Sequence, residues 1–347
     1  MLKNIAVLFG GCSTEYEVSL QSASAVLKAI NPEKYRVLPL GITREGEWFL
    51  YSGPLTGIQE NRWWRDEKHL ERAVLSPDRH THGLTVAGRR IRLDGVFPVL
   101  HGKNGEDGTV QGLAELAGIP VIGCDLLSSA LCMDKEFAHA VVERAGIPVP
   151  ASVALHEDDW RERLSEIEGM AYPLFIKPSR SGSSIGITRV EEESGLVPAI
   201  QEAFIHDNKV LVEAAVKGFE VGCAILGGRE LVVGEVDEIE LTHGFFNYGE
   251  KYTLETSKIH TPARLEPSVR QHIQELAQKI YRILGCSGFA RVDLFWTGKD
   301  AIFNEVNTIP GCTEHSRYPA MMKAAGLDFP AMIEKLIAVS LEESHEV

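Results

Sequence analysis

A chain of 347 residues with 44% apolar and 24% charged positions can fill two or three packed units with cores of their own, and it has the composition of a soluble globular enzyme. Its formal charge of −14, with no basic cluster to neutralise phosphates, excludes a nucleic-acid binder. The cysteines at 12, 124, 132, 223, 286 and 312 have neither Cys-x-x-Cys nor Cys/His ligand spacing, so reduced thiols are expected; no run spans a bilayer and no secretory leader is visible, so a cytoplasmic protein without membrane contact is expected.

In chain order, Ile5-Ala-Val-Leu-Phe9 predicts a buried strand, Gly10-Gly-Cys-Ser-Thr-Glu15 a turn, and Ala23, Val26, Leu27 and Ile30 a helix that Asn31-Pro32 ends. Strand, glycine turn and helix open a doubly wound α/β layer, whose ligands bind at the carboxyl ends of its strands. The Gly-x-Gly-x-x-Gly fingerprint is absent, so Glu15 stands at a ligand-facing turn without implying NAD; a helix-start carboxylate is the plainer reading. Residues 48–92 read as polar and irregular, with Trp63-Trp64 packed and His80-Thr-His82 carrying no chemistry. Gly95–Leu100 predicts a second buried strand, capped by the glycine-rich loop His101-Gly-Lys-Asn-Gly-Glu-Asp-Gly108, and Pro120–Cys124 closes the first unit. His101 divides evenly between ligand contact and loop packing.

The second unit opens with a helix around Met133-Asp-Lys135-Glu, followed past Pro148-Val-Pro150 by acidic helices. A strand ending at Lys177 then meets Ser179-Arg-Ser-Gly-Ser183-Ser184-Ile-Gly, a loop whose small residues leave backbone N–H groups open to phosphate oxygens, although it lacks the Walker Gly-Lys-[Ser/Thr] and also reads as merely flexible. Lys209–Val216 predicts a strand, Lys217–Glu220 a turn, and three strand-like runs reach Leu241. The aromatic stretch His243–Tyr252 reads as a lid. A helix from Pro267 carries Val269, Ile273, Leu276, Ile280 and Leu284 and stops at Gly285.

The last strands, Phe289–Trp296 and Ala301–Asn307, predict a hairpin reversing near Gly298. Pairing residues that sum to about 598 sets Asp293 against Glu305 and Arg291 against Asn307, all on one face. Facing carboxylates repel, so a cation between them is expected, and an all-oxygen set of Asp293, Glu305 and Asn307 suits Mg²⁺. A solvated polar face is the alternative.

Assembled in order, these motifs resemble those of the ATP-grasp ligases, and among them the D-alanine:D-alanine ligase group. The residues that carry the resemblance are Gly10–Ser19, His101–Gly108, Met133-Asp-Lys, Lys177–Ser184, Glu250-Lys-Tyr and Phe303–Gly311, within a match from about residue 4 to 340. The resemblance implies an α/β ATP-grasp fold in three units: 1–123, a doubly wound parallel-sheet domain; 124–217, the central domain; and 218–347, with the metal site and a lid at 242–258. It implies that ATP converts the D-alanine carboxylate to an acyl phosphate, which a second amino acid attacks. Two Mg²⁺ ions, for which Mn²⁺ can substitute, would be held by Asp293, Glu305 and Asn307. Lys135, Lys177, Lys251, Ser183 and Ser184 would hold phosphates. Glu213, Ala214 and Val216 would border the adenine, Phe295 would cover it, and Glu220 would take the ribose hydroxyls. Arg291 and the Gly311 N–H would form the oxyanion site. Glu15 would bind the first ammonium and, with Ser183 and Tyr252, orient the nucleophile, while Val18, His101 and Ser316 would line the amino-acid sites. The family also suggests a homodimer.

Tyr252, where depsipeptide ligases have His, favours an amine nucleophile. Around Arg317 the chain resembles the D-serine-adding ligases of vancomycin-resistance clusters, since housekeeping ligases commonly have Leu there; a guanidinium can organise a hydrogen bond to the D-serine hydroxyl. Arg317 can alternatively grip the acceptor carboxylate, and Glu314 can pair with Arg317 and draw it from substrate. The alternatives are a housekeeping D-alanine:D-alanine ligase and a non-catalytic nucleotide sensor.

Overall fold

The computed structural model describes residues 2–182, 184–241 and 257–343. The expected first strand is Lys3–Gly10, and it pairs in parallel with Tyr35–Ile42 on one side and Gly95–Pro98 on the other. Its apolar run is uninterrupted because both faces are covered. Ile5, Val7 and Phe9 meet the helix Tyr16–Ala29 and Ile333, Leu336 and Ile337 of the last helix, Phe329–Glu343. Ala6 and Leu8 meet Val110 and Ala114 of Thr109–Leu116 on the opposite face. A single parallel bridge from Val96 to Val121 closes that edge.

Residues 48–92 correct the sequence expectation. Trp48–Tyr51, Leu70–Leu75, Gly83–Val86 and Arg89–Arg92 extend the sheet antiparallel, making seven strands among the described residues. These strands are four to six residues long and share no burial pattern, from three buried residues in Gly83–Val86 to none in Arg89–Arg92, so their apolar period is too brief to read. Trp63 is fully buried, its ring edge-on to Phe9 at 4.9 Å and its indole N–H donating to Tyr16 Oη at 3.0 Å, whereas Trp64 is 42% exposed.

Two further sheets follow. One holds, in order, Thr188–Val190, Leu174–Pro178, Lys209–Ala214 and Ser152–His156; the other holds Ser257–His260, Leu231–Leu241, Phe219–Gly227, Phe289–Trp296 and Ala301–Asn307. Three local expectations change. Met133-Asp-Lys is a break between the helices Leu126–Met133 and Lys135–Arg144, because Asp134 caps the second by accepting from the Phe137 N–H. The acidic stretch after Pro150 forms turns and one short 3-10 helix, Leu164–Glu166. Between Phe219 and Leu241 there are two strands, not three, the first register shifting between Cys223 and Ile225. The helix Pro267–Ile283 forms as the periodicity requires, burying Ile273, Ala277, Ile280 and Tyr281.

The first and third sheets share a core, in which Ala224, Leu226, Phe289 and Met321 join Phe9, Phe97 and Tyr16. This continuity brings the carboxyl ends of the first sheet's strands over the hairpin. Among the described residues no helix is long and apolar enough to cross a membrane. Trp63→Ala is expected to cost about 3–5 kcal/mol, and Trp64→Ala below about 1 kcal/mol, in chemical denaturation. Equal losses would contradict this packing.

Candidate active site

The hairpin has the expected register: Asp293 opposes Glu305 and Arg291 opposes Asn307. Asp293 is 1% exposed and is held by a two-bond fork from Arg291, Nε to Oδ1 and Nη2 to Oδ2, both at 2.7 Å. Asn307 Nδ2 donates to the same carboxylate at 2.8 Å. Side-chain cations stand beside both facing carboxylates, Arg291 and, at 3.6 Å, Arg317 at Asp293, and Lys135 at 3.5 Å from Glu305. The Arg291 fork uses one edge of the guanidinium and leaves the Nη1 donors for another partner. Burial opposes the Arg291 charge, but Asp293 outweighs it and holds the guanidinium more firmly protonated than usual.

Across the cleft, Lys135 Nζ donates to the Ser181 carbonyl at 2.8 Å, which places it between the Ser/Gly loop and Glu305. Lys177 pairs with Glu213 in a buried ion pair. The second oxygen of Glu213 is buried without a partner among the described residues, a position that fits a hydrogen-bond donor such as an exocyclic amine. Ala214 and Val216 are half-buried on the connection to the third sheet, where Glu220 and Phe295 are register partners. Ser184 is half-buried with φ of 59°. The assignments to Ser183, Lys251 and Tyr252, and the lid at 242–258 apart from Ser257 and Lys258, lie outside the described residues.

At the other end, Glu15 is 6% exposed and sits between two loops: a methyl group added at Gly102 would lie 2.7 Å from its Oε2, and one at Gly182 3.0 Å. Gly102 has φ of 70°, a backbone conformation that favours glycine whatever the space. Val18 is half-buried one turn into the helix Tyr16–Ala29. His101 is 5% exposed, its Nε2 3.1 Å from Ser22 Oγ, and burial lowers its pKa, so the ring is neutral. Gly311 lies against Ser316, whose Oγ accepts from the Thr313 N–H at 3.1 Å and precedes the helix Arg317–Ala324.

Arg317 is held by two carboxylates. Its guanidinium forks Asp237 through Nε at 2.7 Å and Nη2 at 2.8 Å, and Nη1 donates to Glu220 at 2.8 Å. Glu314 is exposed and is not a partner of Arg317, which corrects the pairing expected between them. Asp237 is fully buried and escaped the sequence reading because it is one of four acids in its strand, with Glu235, Glu238 and Glu240; only the packing shows that it is the one that meets Arg317. Gly222, on the neighbouring strand, makes room for this charge cluster: a methyl there would meet Arg317 Nη2 at 2.6 Å and Asp293 Oδ1 at 2.9 Å.

Glu106 also had no assigned role. It accepts from the Gly102 N–H at 2.7 Å, and burial together with Glu15 pushes its pKa up to about 8. The folded protein therefore favours its protonated form. Stability from this group is greatest below the ordinary carboxylate range and is lost as pH rises to about 8. The thermal midpoint of ligand-free protein should fall across that window and fall less in Glu106→Gln; parallel profiles would contradict the raised pKa.

A doubly wound unit joined to two α+β units, with lysines, paired carboxylates and a buried arginine converging on one cleft, defines an ATP-grasp ligase. The chain belongs to the D-Ala-D-Ala ligase family: the family described as D-ala D-ala ligase N-terminus matches residues 4–124, and D-ala D-ala ligase C-terminus matches 141–338. It is similar to the VanG D-Ala:D-Ser ligase structure from Enterococcus faecalis, 58% identical with a TM-score of 0.93, covering 98% of this chain and 100% of that one. It is 46% identical to the vancomycin B-type resistance protein VanB of Enterococcus faecalis, over 97% of this chain and 98% of the relative. A D-alanine--D-alanine ligase of Caldicellulosiruptor bescii is 43% identical, over 99% of this chain and 96% of the relative. The family implies ATP and Mg²⁺, and small-molecule substrates such as D-amino acids. Among the described residues no three His, Cys, Asp or Glu side chains converge as a metal cage. Two carboxylates and an amide nonetheless fit a hard ion that keeps waters and is completed by substrate phosphates.

Proposed function

We propose that the chain joins D-alanine to D-serine through a D-alanyl phosphate, supplying altered peptidoglycan precursors that vancomycin binds poorly. The observation that carries the acceptor assignment is the buried Arg317–Asp237 pair, which replaces an apolar wall with polar groups in a region where housekeeping ligases commonly have Leu. Arg317 has its donors committed to Asp237 and Glu220, so what it offers a hydroxyl is the pair rather than a free guanidinium. The likeness to the VanG D-Ala:D-Ser ligase supports this reading.

Glu15 binds the ammonium of the first D-alanine, with Val18 and His101 lining its site; neutral His101 adds no charge to compete with the ammonium. Lys135 and Lys177 hold the ATP phosphates with Ser183, Ser184 and Lys251. Glu213 accepts from the adenine amine, Ala214 and Val216 border it, Phe295 covers it, and Glu220 takes the ribose hydroxyls. Two Mg²⁺ ions, held by Asp293, Glu305 and Asn307, would neutralise charge on the transferring phosphoryl group. The Arg291 Nη1 donors and the Gly311 N–H receive the oxyanion when the acceptor amine attacks the acyl phosphate. Ser183 and Tyr252 complete the hydrogen-bonded group with Glu15, and Ser316 lines the acceptor site. The three sheets support a division near residues 123 and 217, and the working unit is a homodimer.

A housekeeping D-alanine:D-alanine ligase is the second reading, favoured by the 43% identity to the enzyme so named. A third acceptor, D-lactate, enters through a relative called a putative D-alanine--D-lactate ligase in Streptomyces coelicolor, 44% identical. Competition among D-serine, D-alanine and D-lactate as acceptors, with ATP, Mg²⁺ and limiting D-alanine, should yield chiefly D-alanyl-D-serine. Replacing the pair, Arg317→Leu with Asp237→Leu, should shift product toward D-alanyl-D-alanine; it removes the fully buried Asp237 together with its partner and takes Arg317 from the half-buried Glu220. Exclusive D-alanyl-D-alanine from the wild type would overturn the assignment. Glu305→Gln is expected to lower turnover by about two orders of magnitude and raise the Mg²⁺ requirement; unchanged Mg²⁺ dependence would remove Glu305 from the metal set.

A further inference from the structure

Lys209 is 4% exposed and starts the strand Lys209–Ala214, outside every role assigned above. Its Nζ lies 2.6 Å from Asp134 and 2.7 Å from Glu136, and 4.1 Å from the centre of the Phe137 ring. Those two carboxylates flank Lys135 in sequence, at the start of the helix Lys135–Arg144. Asp134 caps that helix and accepts from Ser179 Oγ at 3.2 Å, while the Lys135 N–H donates to the Ser179 carbonyl at 3.1 Å and the Ser179 N–H to the Lys209 carbonyl at 2.9 Å. Helix start, loop stem and strand are thus tied at one point, and Lys209 is the cation there.

Lys135 is another cation nearby, besides Arg180, which is bonded to Asp207, and the Lys135 ammonium is turned to Ser181 and Glu305. Two buried or half-buried carboxylates beside it would attract it strongly if nothing else neutralised them. We propose that Lys209 is a positioning residue for nucleotide binding: by satisfying Asp134 and Glu136 it keeps Lys135 directed into the cleft, where the ATP phosphates are read to lie. The inference rests on the reading of Lys135 as a phosphate ligand. Lys209 itself touches no substrate.

Charge correction separates this from simple loss of packing. Lys209→Met is expected to raise the KM for ATP about tenfold while leaving the KM for D-alanine within about twofold. The double variant Lys209→Met/Glu136→Gln, which removes one of the stranded carboxylates, should recover most of that loss. If Lys209→Met does not accumulate as folded protein, Lys209→Gln, which keeps a donor without the charge, takes its place with the same expectation. An unchanged ATP KM in the single variant overturns the inference, and so does an equal rise in single and double variants. Lys135→Met is measured beside them. An ATP KM unaffected by Lys135→Met removes the phosphate reading underneath; a raised value there, with an unchanged one in Lys209→Met, removes the inference alone.

Discussion

Asp293 is a carboxylate almost wholly removed from water on the strand next to the edge of the third sheet, and the surrounding site is arranged to make its charge tolerable. Arg291 forks it from the same strand, Asn307 donates from the partner strand, and Arg317 approaches to 3.6 Å from a helix. A buried carboxylate with any of these removed would cost far more than the pair contributes to stability. The same requirement fixes Gly222 as a residue without a side chain, since the cluster fills the space a Cβ would need.

Charge compensation repeats around the cleft at a distance from Asp293. Lys177 satisfies Glu213, Lys209 satisfies Asp134 and Glu136, and Arg317 satisfies Asp237 and Glu220. Each pair ties a different strand or helix to the site. The cations are therefore organisers of geometry as well as ligands for negatively charged substrate groups, and the cleft balances its own charge before any nucleotide enters. At the Glu15 end a second carboxylate, Glu106, lies close, and there burial together with Glu15 favours a proton on Glu106.

Much of this was legible in the chain. The Asp293–Glu305 pairing followed from period-two alternation and the position of Gly298, whereas the register shift between Asp293 and Leu294, which sets Leu294 against Phe303, left no mark in the chain. Lys3–Gly10 and Pro267–Ile283 were readable for the same reason: each repeats one burial pattern long enough to be unambiguous. The four strands between residues 48 and 92 were not, since strands of four to six residues carry too few alternations to be told from loop. Asp134 looked like the interior of a helix because the residues on both sides favour one; its capping bond, a local competition between side chain and backbone, breaks it.

By itself the sequence determined which groups are available, their order along the chain, and the local register that sets Asp293 against Glu305, since these depend only on neighbours and alternation. The tertiary structure decided who compensates whom. Arg317 and Asp237 are 80 residues apart, Lys209 and Asp134 75, and no local pattern marks them as partners. Pairing across such separations is set by which strands lie adjacent in a sheet and which face each side chain takes, and a buried charge selects its partner only once both have left water.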